Sequence, residues 1–382
     1  MIAHADIAVV GAGAAGIAAA VSAARTGAKT WLLDQRAAAG GTGGFSGLTT
    51  LCGLYDDAGS FLNDGFAREF AGLLVERRPP ARLESGLQRE RAGSETGAPL
   101  KMGRVWVLQY RPQRFREVAA QLFETTPNLK AQWNAPVGDT VLEGNRIVRL
   151  NGISVGAVID CSGTAEVARA IGAECLATDE TTQSPAVIFP LFPVTRDLNS
   201  PAAMAQVLLP LARAGFPPLN LQASLEANTL TAKFTGRAEQ VPEVIAFLKK
   251  NVSGFENCQT PVTGLQPARR AGRMIIGQYL LTGADVLAGR KFPDAVARCA
   301  WPIEQWGVDG VARFKYLPAG TAYDIPARCL RAAKIENLFM AGKTTSADVE
   351  AIASARVMGC CLATGAAAGN LAATCVESAR TR

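Results

Sequence analysis

The chain opens on a strand pattern that runs directly into a glycine-rich turn. Residues 7–10 read Ile-Ala-Val-Val, and glycines follow at 11, 13 and 16 with G-x-G-x-x-G spacing. In such a turn Gly11 permits the tight bend, Gly13 lets the backbone approach a pyrophosphate, and Gly16 lets the next helix pack on the strand. The Ala-rich run 14–26 predicts that helix, whose free N–H groups would face the phosphates.

A second strand pattern ends in an acidic residue. Residues 30–33 are apolar or β-branched, and Asp34 follows them, roughly 20 residues beyond Gly11, where a carboxylate binds a ribose hydroxyl. The alternative is an Ala/Gly-rich structural turn of another α/β protein. The strand–helix–strand pattern with its terminal acid argues against that alternative and predicts a dinucleotide-binding site.

A second glycine cluster lies at residues 40–44, just beyond the second strand. Its backbone N–H groups would reach the same ligand, and a flexible surface loop is the alternative. The apolar stretch 45–59 contains Cys52 and is predicted to line the pocket. A helix pattern covers residues 60–76, and the Arg-, Gly-, Pro- and Ser-rich segment 77–103 is typical of a surface excursion.

Periodicity beyond residue 104 predicts further elements of the same domain and then a change of texture. The first group comprises strands at 105–110, 129–137, 141–143, 146–150 and 155–160 and a helix at 112–125. The second group comprises antiparallel strands at 187–194 and 230–234 and helices at 204–214 and 241–251. No second G-x-G-x-x-G opens in this second group, so no separate nicotinamide-binding domain is predicted.

The C-terminal part returns to the nucleotide fold through a strand at 336–343 and a small-residue helix at 353–371. The predicted fold class is α/β. A Rossmann-like nucleotide-binding domain, with a parallel sheet and a β-meander, would comprise residues 1–175 and 321–382. Residues 176–320 would form an inserted α+β substrate domain built on an antiparallel sheet.

Charge and hydropathy limit the partners. The formal charge of +6 is spread along the chain without a basic block, so nucleic acid is not predicted as a partner, whereas anionic ligands are mildly favoured. The first strand begins within a few residues of the start, leaving no room for a signal peptide, and no uninterrupted apolar run is long enough for a membrane span. We therefore expect a cytoplasmic protein.

Histidine and cysteine usage narrows the chemistry. The chain has one histidine, His4, before the first strand. A histidine general base, a Ser-His or Cys-His pair and a multi-histidine metal site are therefore not predicted. The nine cysteines are scattered without a C-x-x-C pair, so neither a zinc site nor a dithiol redox motif is predicted.

Several segments together resemble FAD-dependent oxidoreductases of the glutathione-reductase-like type. They are the N-terminal fingerprint, the strand ending in Asp34, the Ile-Asp-Cys-Ser-Gly turn at 159–163 and the Asn-Leu-Phe-Met-Ala-Gly strand at 337–342. More narrowly, segments at 270–277, 282–287, 323–326 and 342–369 resemble one FAD-dependent family. That family is distantly similar to fumarate-reductase flavoproteins and tRNA-modifying GidA-type flavoproteins.

This resemblance implies FAD as the cofactor and assigns residues to each part of it. The glycine turn with Ala14 and Ala15 would hold the pyrophosphate, Asp34, Gln35 and Arg36 the adenosine, and Val137 the adenine through its backbone. The ribityl chain, the closing turn and the flavin edge would be held by Gly41, Thr42, Ser162, Gly163, Gly342, Arg356, Val357 and Met358. Backbone N–H groups at residues 356–358 would stabilise negative charge on the flavin pyrimidine. Without a usable histidine, the FAD is expected to be non-covalent, with a cysteinyl link left open.

Four side chains are candidates for catalysis or substrate binding. Arg270, Arg273 and Arg356 suit bidentate recognition of an anionic substrate, and Tyr323 would face the flavin. Structural ion pairs are the alternative for the arginines, and a turn before Pro326 is the alternative for Tyr323.

The function predicted is oxidation or reduction of a small molecule by hydride transfer to or from flavin N5, with O₂, a quinone or a partner protein as electron acceptor. A biosynthetic flavin monooxygenase and a flavoprotein with an assembly or RNA-modification role are the alternatives.

Overall fold

The computed structural model describes residues 3–75, 99–198, 200–260 and 266–381. Most of the predicted surface excursion, residues 77–98, and the last predicted residue of the preceding helix lie outside these ranges. Strands and helices are numbered below in chain order.

Nineteen strands are found within the described residues. They are β1 His4–Val10, β2 Thr30–Leu33, β3 Thr50–Cys52, β4 Leu100–Met102, β5 Val105–Gln109, β6 Leu129–Gln132, β7 Thr140–Glu143, β8 Arg146–Leu150, β9 Ile153–Asp160, β10 Cys175–Ala177, β11 Ala186–Leu191, β12 Asn220–Ala223, β13 Leu230–Thr235, β14 Arg273–Ile275, β15 Ala295–Cys299, β16 Ile303–Trp306, β17 Ala312–Lys315, β18 Tyr323–Pro326 and β19 Leu338–Met340.

Ten α-helices accompany these strands in the described ranges. They are α1 Ala14–Arg25, α2 Gly41–Phe45, α3 Phe66–Leu74, α4 Pro112–Thr125, α5 Glu166–Ala170, α6 Pro201–Arg213, α7 Val241–Asn251, α8 Gly283–Leu287, α9 Val349–Ala355 and α10 Met358–Arg380.

The central sheet has the order β6-β2-β1-β9-β8-β7, and β19 pairs with β9. The β1–β2, β1–β9, β2–β6 and β9–β19 pairs are parallel, whereas β7, β8 and β9 form an antiparallel meander. The predicted fold class is thus confirmed. The turns after β1, β2, β9 and β19 meet at one edge of the sheet, because parallel strands share their carboxyl ends there.

Alternation along the strands separates two cores. Ile7 and Val9 of β1 belong to one buried cluster, and Ala8 and Val10 to another on the opposite face. This period of two is the signature of a strand buried on both faces, which explains the continuous apolar run.

Small residues bring α1 and α10 together against the larger of these cores. A Cβ on Gly365 would overlap the carbonyl oxygen of Ala15, and one on Gly369 would lie 2.5 Å from that of Ala19. Likewise, a Cβ on Gly16 would overlap the carbonyl oxygen of Gly11. The glycines therefore set the distance between the turn, α1 and the C-terminal helix.

The inserted part of the chain has its own core. Strands β11, β13 and β12 form an antiparallel sheet, and α6 and α7 pack in the same cluster through Val207, Leu211, Val244 and Leu248. Met274, Leu281 and Cys299, by contrast, belong to the main core. The domain division at residues 175 and 320 remains a prediction. The buried residues of the separately packed core run from Val187 to Cys258, a shorter range than the predicted domain.

Three predicted elements differ from the structure. The helix predicted at 353–371 is two helices, because the chain leaves helical geometry at Val357, which caps α10 with φ −66° and ψ 148°. The helix predicted at 60–76 begins only at Phe66. The end of the predicted excursion is β4, which pairs with β5 in a three-stranded sheet that also contains β3.

One helix, α10, is long and apolar enough to cross a membrane by length and composition, although its sequence is interrupted by polar residues. Within the protein, 67% of its most apolar window is buried, as expected for a core helix. The cytoplasmic location remains a prediction.

Candidate functional site

A cavity of about 830 Å³ extends from the glycine turn after β1 to the inserted sheet. Its walls come from the carboxyl edge of the central sheet, α2, the β3–β5 sheet and the β16–β17 hairpin. Its volume lies in the range of pockets that hold cofactors and small ligands.

The backbone of two glycine turns approaches closely at one end of this cavity. A Cβ on Gly41 would lie 2.7 Å from Cα of Gly13, whereas a Cβ on Gly13 would meet no atom nearer than Cα of Gly41, at 3.9 Å. The predicted second glycine cluster is thus a short helix, α2, not a flexible loop. The Tyr110 hydroxyl fixes it by donating to the Gly43 carbonyl at 3.0 Å.

Asp34, the predicted ribose-binding residue, also holds the glycine turn in place. Its carboxylate accepts the Ala12 N–H at 2.5 Å and the Arg36 N–H at 2.7 Å. The side chain is 6% exposed and lines the cavity. Two of its acceptor sites are therefore occupied by backbone donors, and the remaining lone pairs are free to accept from a ribose hydroxyl.

Two long helices begin at the cavity wall. Ala14 and Ala15 start α1, and Met358 starts α10, and all three line the cavity. Neither helix has a side-chain hydrogen bond at its N-cap residue. Free N–H groups and the positive dipole ends thus face the cavity at two places, which suits phosphate at one and a reduced flavin ring at the other.

Most of the predicted cofactor-binding residues line this single cavity. They are Gly11, Gly13, Ala14, Ala15, Asp34, Gln35, Arg36, Gly41, Thr42, Ser162, Gly163, Gly342, Arg356, Val357 and Met358. The structure therefore brings together segments that are more than 300 residues apart in the chain.

Two predicted cofactor residues do not line the cavity. Gly16 lies behind the turn, where it permits the contact with Gly11, as its spacing predicts. Val137 is partly buried and packs at the edge of the second core. Its predicted backbone contact with adenine remains a prediction.

Two of the four predicted catalytic residues line the cavity and two do not. Arg270 and Arg356 line the cavity, whereas Arg273 begins β14 and is exposed outside it. Tyr323 is fully buried, and its hydroxyl is 2.8 Å from Ser354 Oγ in the main core. The structure therefore does not bring Arg273 and Tyr323 to the cavity, because the strands that carry them point these side chains elsewhere, and their assignment to the reacting centre stays a prediction.

A carboxylate forms the inner end of the cavity. Glu304 of β16 accepts the indole N–H of Trp301 at 2.8 Å and that of Trp306 at 2.5 Å. Burial, the largest effect, would raise the pKa of Glu304, but Arg356, the two indole donors and Lys233 together bring it below its usual value. Glu304 is therefore ionised at neutral pH.

Basic side chains outnumber acidic ones along the cavity wall. The two acidic residues are Asp34 and Glu304, and the seven basic residues are Arg36, Arg104, Lys233, Arg269, Arg270, Lys343 and Arg356. Burial and the neighbouring Arg356 lower the pKa of Arg270 to about 10 and that of Lys343 to about 8. The cavity is therefore a site for anions.

Arg356 lies at the break between α9 and α10. Its Nη2 donates to Gln183 Oε1 at 3.1 Å and to the Glu304 carbonyl at 3.3 Å. Its buried Nε has no hydrogen-bond partner among the described residues. A buried donor without an acceptor is costly, which is consistent with a ligand atom at this position.

The cavity thiols are not nucleophiles. Burial raises the pKa of Cys52 and of Cys361 to about 12, so both are neutral at pH 7.

Sequence reasoning missed Lys233, Glu304, Trp306 and Lys343. The first three come from two strands about 70 residues apart, β13 and β16, and no local motif links them. Lys343 alone carried a signal, because it follows the glycine at the end of a predicted strand, a position that faces the ligand in this fold.

Together, the parallel sheet, the glycine turn and the anion-binding cavity define a Rossmann-like dinucleotide-binding protein. A family model described as "FAD dependent oxidoreductase" matches residues 6–214 and 218–382. The chain belongs to this family, and its cofactor is FAD. No curated protein matches the chain.

Solved structures show the same fold at low sequence identity. A geranylgeranyl bacteriochlorophyll reductase-like protein from Thermoplasma acidophilum is 14% identical, with a TM-score of 0.50, over 99% of this chain and 80% of that one. GidA from Aquifex aeolicus is 15% identical, with a TM-score of 0.50, over 99% of this chain and 64% of that one. At these identities the likeness concerns the fold alone.

The residues present fit FAD. Gly13 and Gly41 lie side by side on the cavity wall, so backbone and not side chain faces the space that a pyrophosphate would occupy. Lys343 lies beside the turn after β9, since a Cβ on Gly163 would lie 2.7 Å from its Cε. The N-terminus of α10 and Arg356 would stabilise negative charge on the flavin ring, the part of FAD that exchanges hydride at N5.

Proposed function

We propose that this protein is an FAD-dependent dehydrogenase or oxidase of a small, anionic organic molecule. A hydride would pass between a substrate carbon and flavin N5, and the substrate's remaining proton would pass to solvent. The electrons would leave to O₂, a quinone or a partner protein. The FAD would be held non-covalently.

The observation that carries this proposal is the continuity of the cavity. The same cavity is lined by the backbone of Gly13 and Gly41 and by the carboxylate of Glu304. A ligand at the inner end would lie next to residues 356–358, where the flavin edge is predicted. The missing second dinucleotide motif favours a substrate, not a nicotinamide, as the partner of the flavin.

The chain's own residues have positioning and electrostatic roles in this proposal. Arg356 and the start of α10 would favour the reduced flavin by placing positive charge beside it. Apolar Ile188, Leu48 and Trp301 line the inner walls and would exclude water from the reacting atoms. A histidine general base is not needed in this proposal, because the flavin supplies the redox chemistry.

The test is anaerobic reduction of the purified protein. We expect a flavin spectrum, and bleaching of that spectrum by one or more small organic anions in a compound screen. Uptake of NADH with hydroxylation of the compound would instead identify a monooxygenase. A protein that carries flavin and is bleached by no compound, in the absence or presence of NADH, would contradict the proposal.

A further inference from the structure

We propose that Lys233 and Arg270 form a carboxylate-binding subsite at the inner end of the cavity, held in place by Trp306, and that the substrate is an organic carboxylate with an apolar body. The identification of this ligand as the substrate rests on the proposed function. Binding of a carboxylate at the subsite does not, and it is tested separately.

Lys233 is a cation without a hydrogen-bond partner among the residues that the structure describes. It lies on β13 of the inserted sheet, with Nζ 4.6 Å from the centre of the Trp306 ring. In the described parts of the chain, no acceptor lies within hydrogen-bond distance of Nζ and no carboxylate forms a salt bridge with it. Burial lowers the pKa of this ammonium group. A ligand anion would restore the interactions that the protein does not supply.

Arg270 approaches the same ring. Its guanidinium carbon is 4.3 Å from the Trp306 ring centre, and Nη1 donates to the Ser184 carbonyl at 2.5 Å. The ring is itself fixed by its indole N–H, which donates to Glu304. One tryptophan therefore positions two cations from two separate segments, an arrangement that orders their side chains before a ligand arrives.

Glu304 offsets only one charge of this cluster. Its carboxylate accepts two indole N–H groups, and Arg356 donates to its backbone carbonyl. Lys233, Arg270 and Arg356 thus carry three positive charges against one negative charge. The excess charge is enclosed by protein, where electrostatic attraction to an anion is strong.

The surrounding wall indicates the rest of the ligand. Leu48, Val107, Ile188, Trp301 and Phe314 line the cavity beside the cations. A planar carboxylate matches the fork of an arginine, with the lysine as an additional donor. An apolar group attached to that carboxylate would bury itself against the wall.

The test is binding of benzoate and its neutral isostere benzamide to the FAD-loaded protein, measured by calorimetry and by perturbation of the flavin spectrum. We expect benzoate to bind about tenfold or more tightly than benzamide, because a charge-assisted hydrogen bond is lost in the amide. Equal binding of the two, binding of neither, or a preference for phenyl phosphate over benzoate would overturn the proposal.

Single substitutions test which residues determine benzoate binding. Lys233→Met and Arg270→Met should each weaken benzoate about tenfold and leave benzamide unchanged. Glu304→Gln should strengthen benzoate binding, since it removes the opposing charge and keeps one amide oxygen, placed to accept the Trp306 indole N–H. Lys249→Met removes an exposed lysine on α7 and should change nothing. Benzoate binding unaffected at both cavity positions would contradict the assignment.

The two proposals fail differently. If no compound bleaches the flavin but benzoate binding depends on Lys233 and Arg270, the proposed reaction is wrong and the subsite stands. If substrates are found and both variants bind benzoate as the parent does, the reaction stands and the subsite is wrong. Flavin content in every variant shows that the cofactor site is intact.

Discussion

The two ends of the cavity offer their positive charge in different ways. At the nucleotide end, much of this charge comes from backbone N–H groups of helix starts and glycine turns, and at Gly13 and Gly41 no side chain stands between backbone and ligand. At the inner end, charge comes from long side chains fixed on a tryptophan, as for Lys233 and Arg270. The first end is therefore suited to the pyrophosphate of the cofactor, and the second to an anionic group of another ligand.

The difference predicts opposite responses to mutation. At the nucleotide end, no side-chain atom fits where two backbone segments are in contact. Substitutions there therefore act on folding or on cofactor binding. Replacing side chains at the inner end removes charge without disturbing the backbone. The predictions below test this contrast in order of decreasing effect.

The largest effect is expected for Gly16→Ala. The added Cβ would overlap the Gly11 carbonyl oxygen, which cannot move without displacing β1. We expect a loss of about 3 kcal/mol or more in the free energy of unfolding, measured with denaturant. Gly13→Ala is the matched control, with a loss below about 1 kcal/mol. Equal stability of the Gly16 variant and the parent would mean that the turn is packed differently.

Lys343 is expected to couple FAD affinity to pH. Its pKa of about 8 in the free cavity means that the ammonium loses its charge as the pH rises through that value. A bound pyrophosphate favours the charged form, so FAD should bind more weakly as the pH rises above about 8. Equilibrium dialysis across pH 7 to about 10 measures this dependence.

Two substitutions at Lys343 separate charge from shape. Lys343→Gln should weaken FAD about tenfold at pH 7 and abolish the pH dependence. Lys343→Arg should keep the affinity and also abolish the pH dependence, because arginine stays charged. Undiminished FAD affinity in Lys343→Gln would remove this residue from the cofactor site.

The smallest effect is expected for Tyr323→Phe. The lost hydroxyl leaves Ser354 Oγ still donating to the Trp301 carbonyl at 2.5 Å, so no buried donor is stranded. We expect a loss of about 1 kcal/mol in the free energy of unfolding and an unchanged rate of flavin reduction. A large drop in that rate would return Tyr323 to the reacting centre.

The contrast also explains what could be predicted from the sequence. Gly11, Gly13 and Asp34 belong to one strand–helix–strand unit whose spacing is fixed by backbone geometry, so their roles can be predicted from local pattern. Lys233 and Glu304 meet only because β13 and β16 pack beside the same cavity. Nothing in either local sequence specifies that meeting.

Two differences between the sequence-based predictions and the structure, the break after α9 and the position of Tyr323, have local causes. Arg356 and Val357 are compatible with a helix, so the break between α9 and α10 depends on packing and not on a Gly or Pro signal. Tyr323 lies on a strand, where facing alternates with every residue, and a single short strand does not indicate which face is the core. Its neighbour Asp324 is hydrogen-bonded to Lys291 and not to the cavity.

The central claim is that the FAD pyrophosphate lies against the backbone at Gly13, and its most direct test is the flavin content of Gly13→Val. A Cβ at Gly13 meets no protein atom within 3.9 Å, so the valine would fill ligand space and leave the fold intact. We predict one FAD per parent chain and none in the variant, with the variant melting within a few degrees of the parent from which FAD has been removed. Stoichiometric FAD in the folded variant would contradict it.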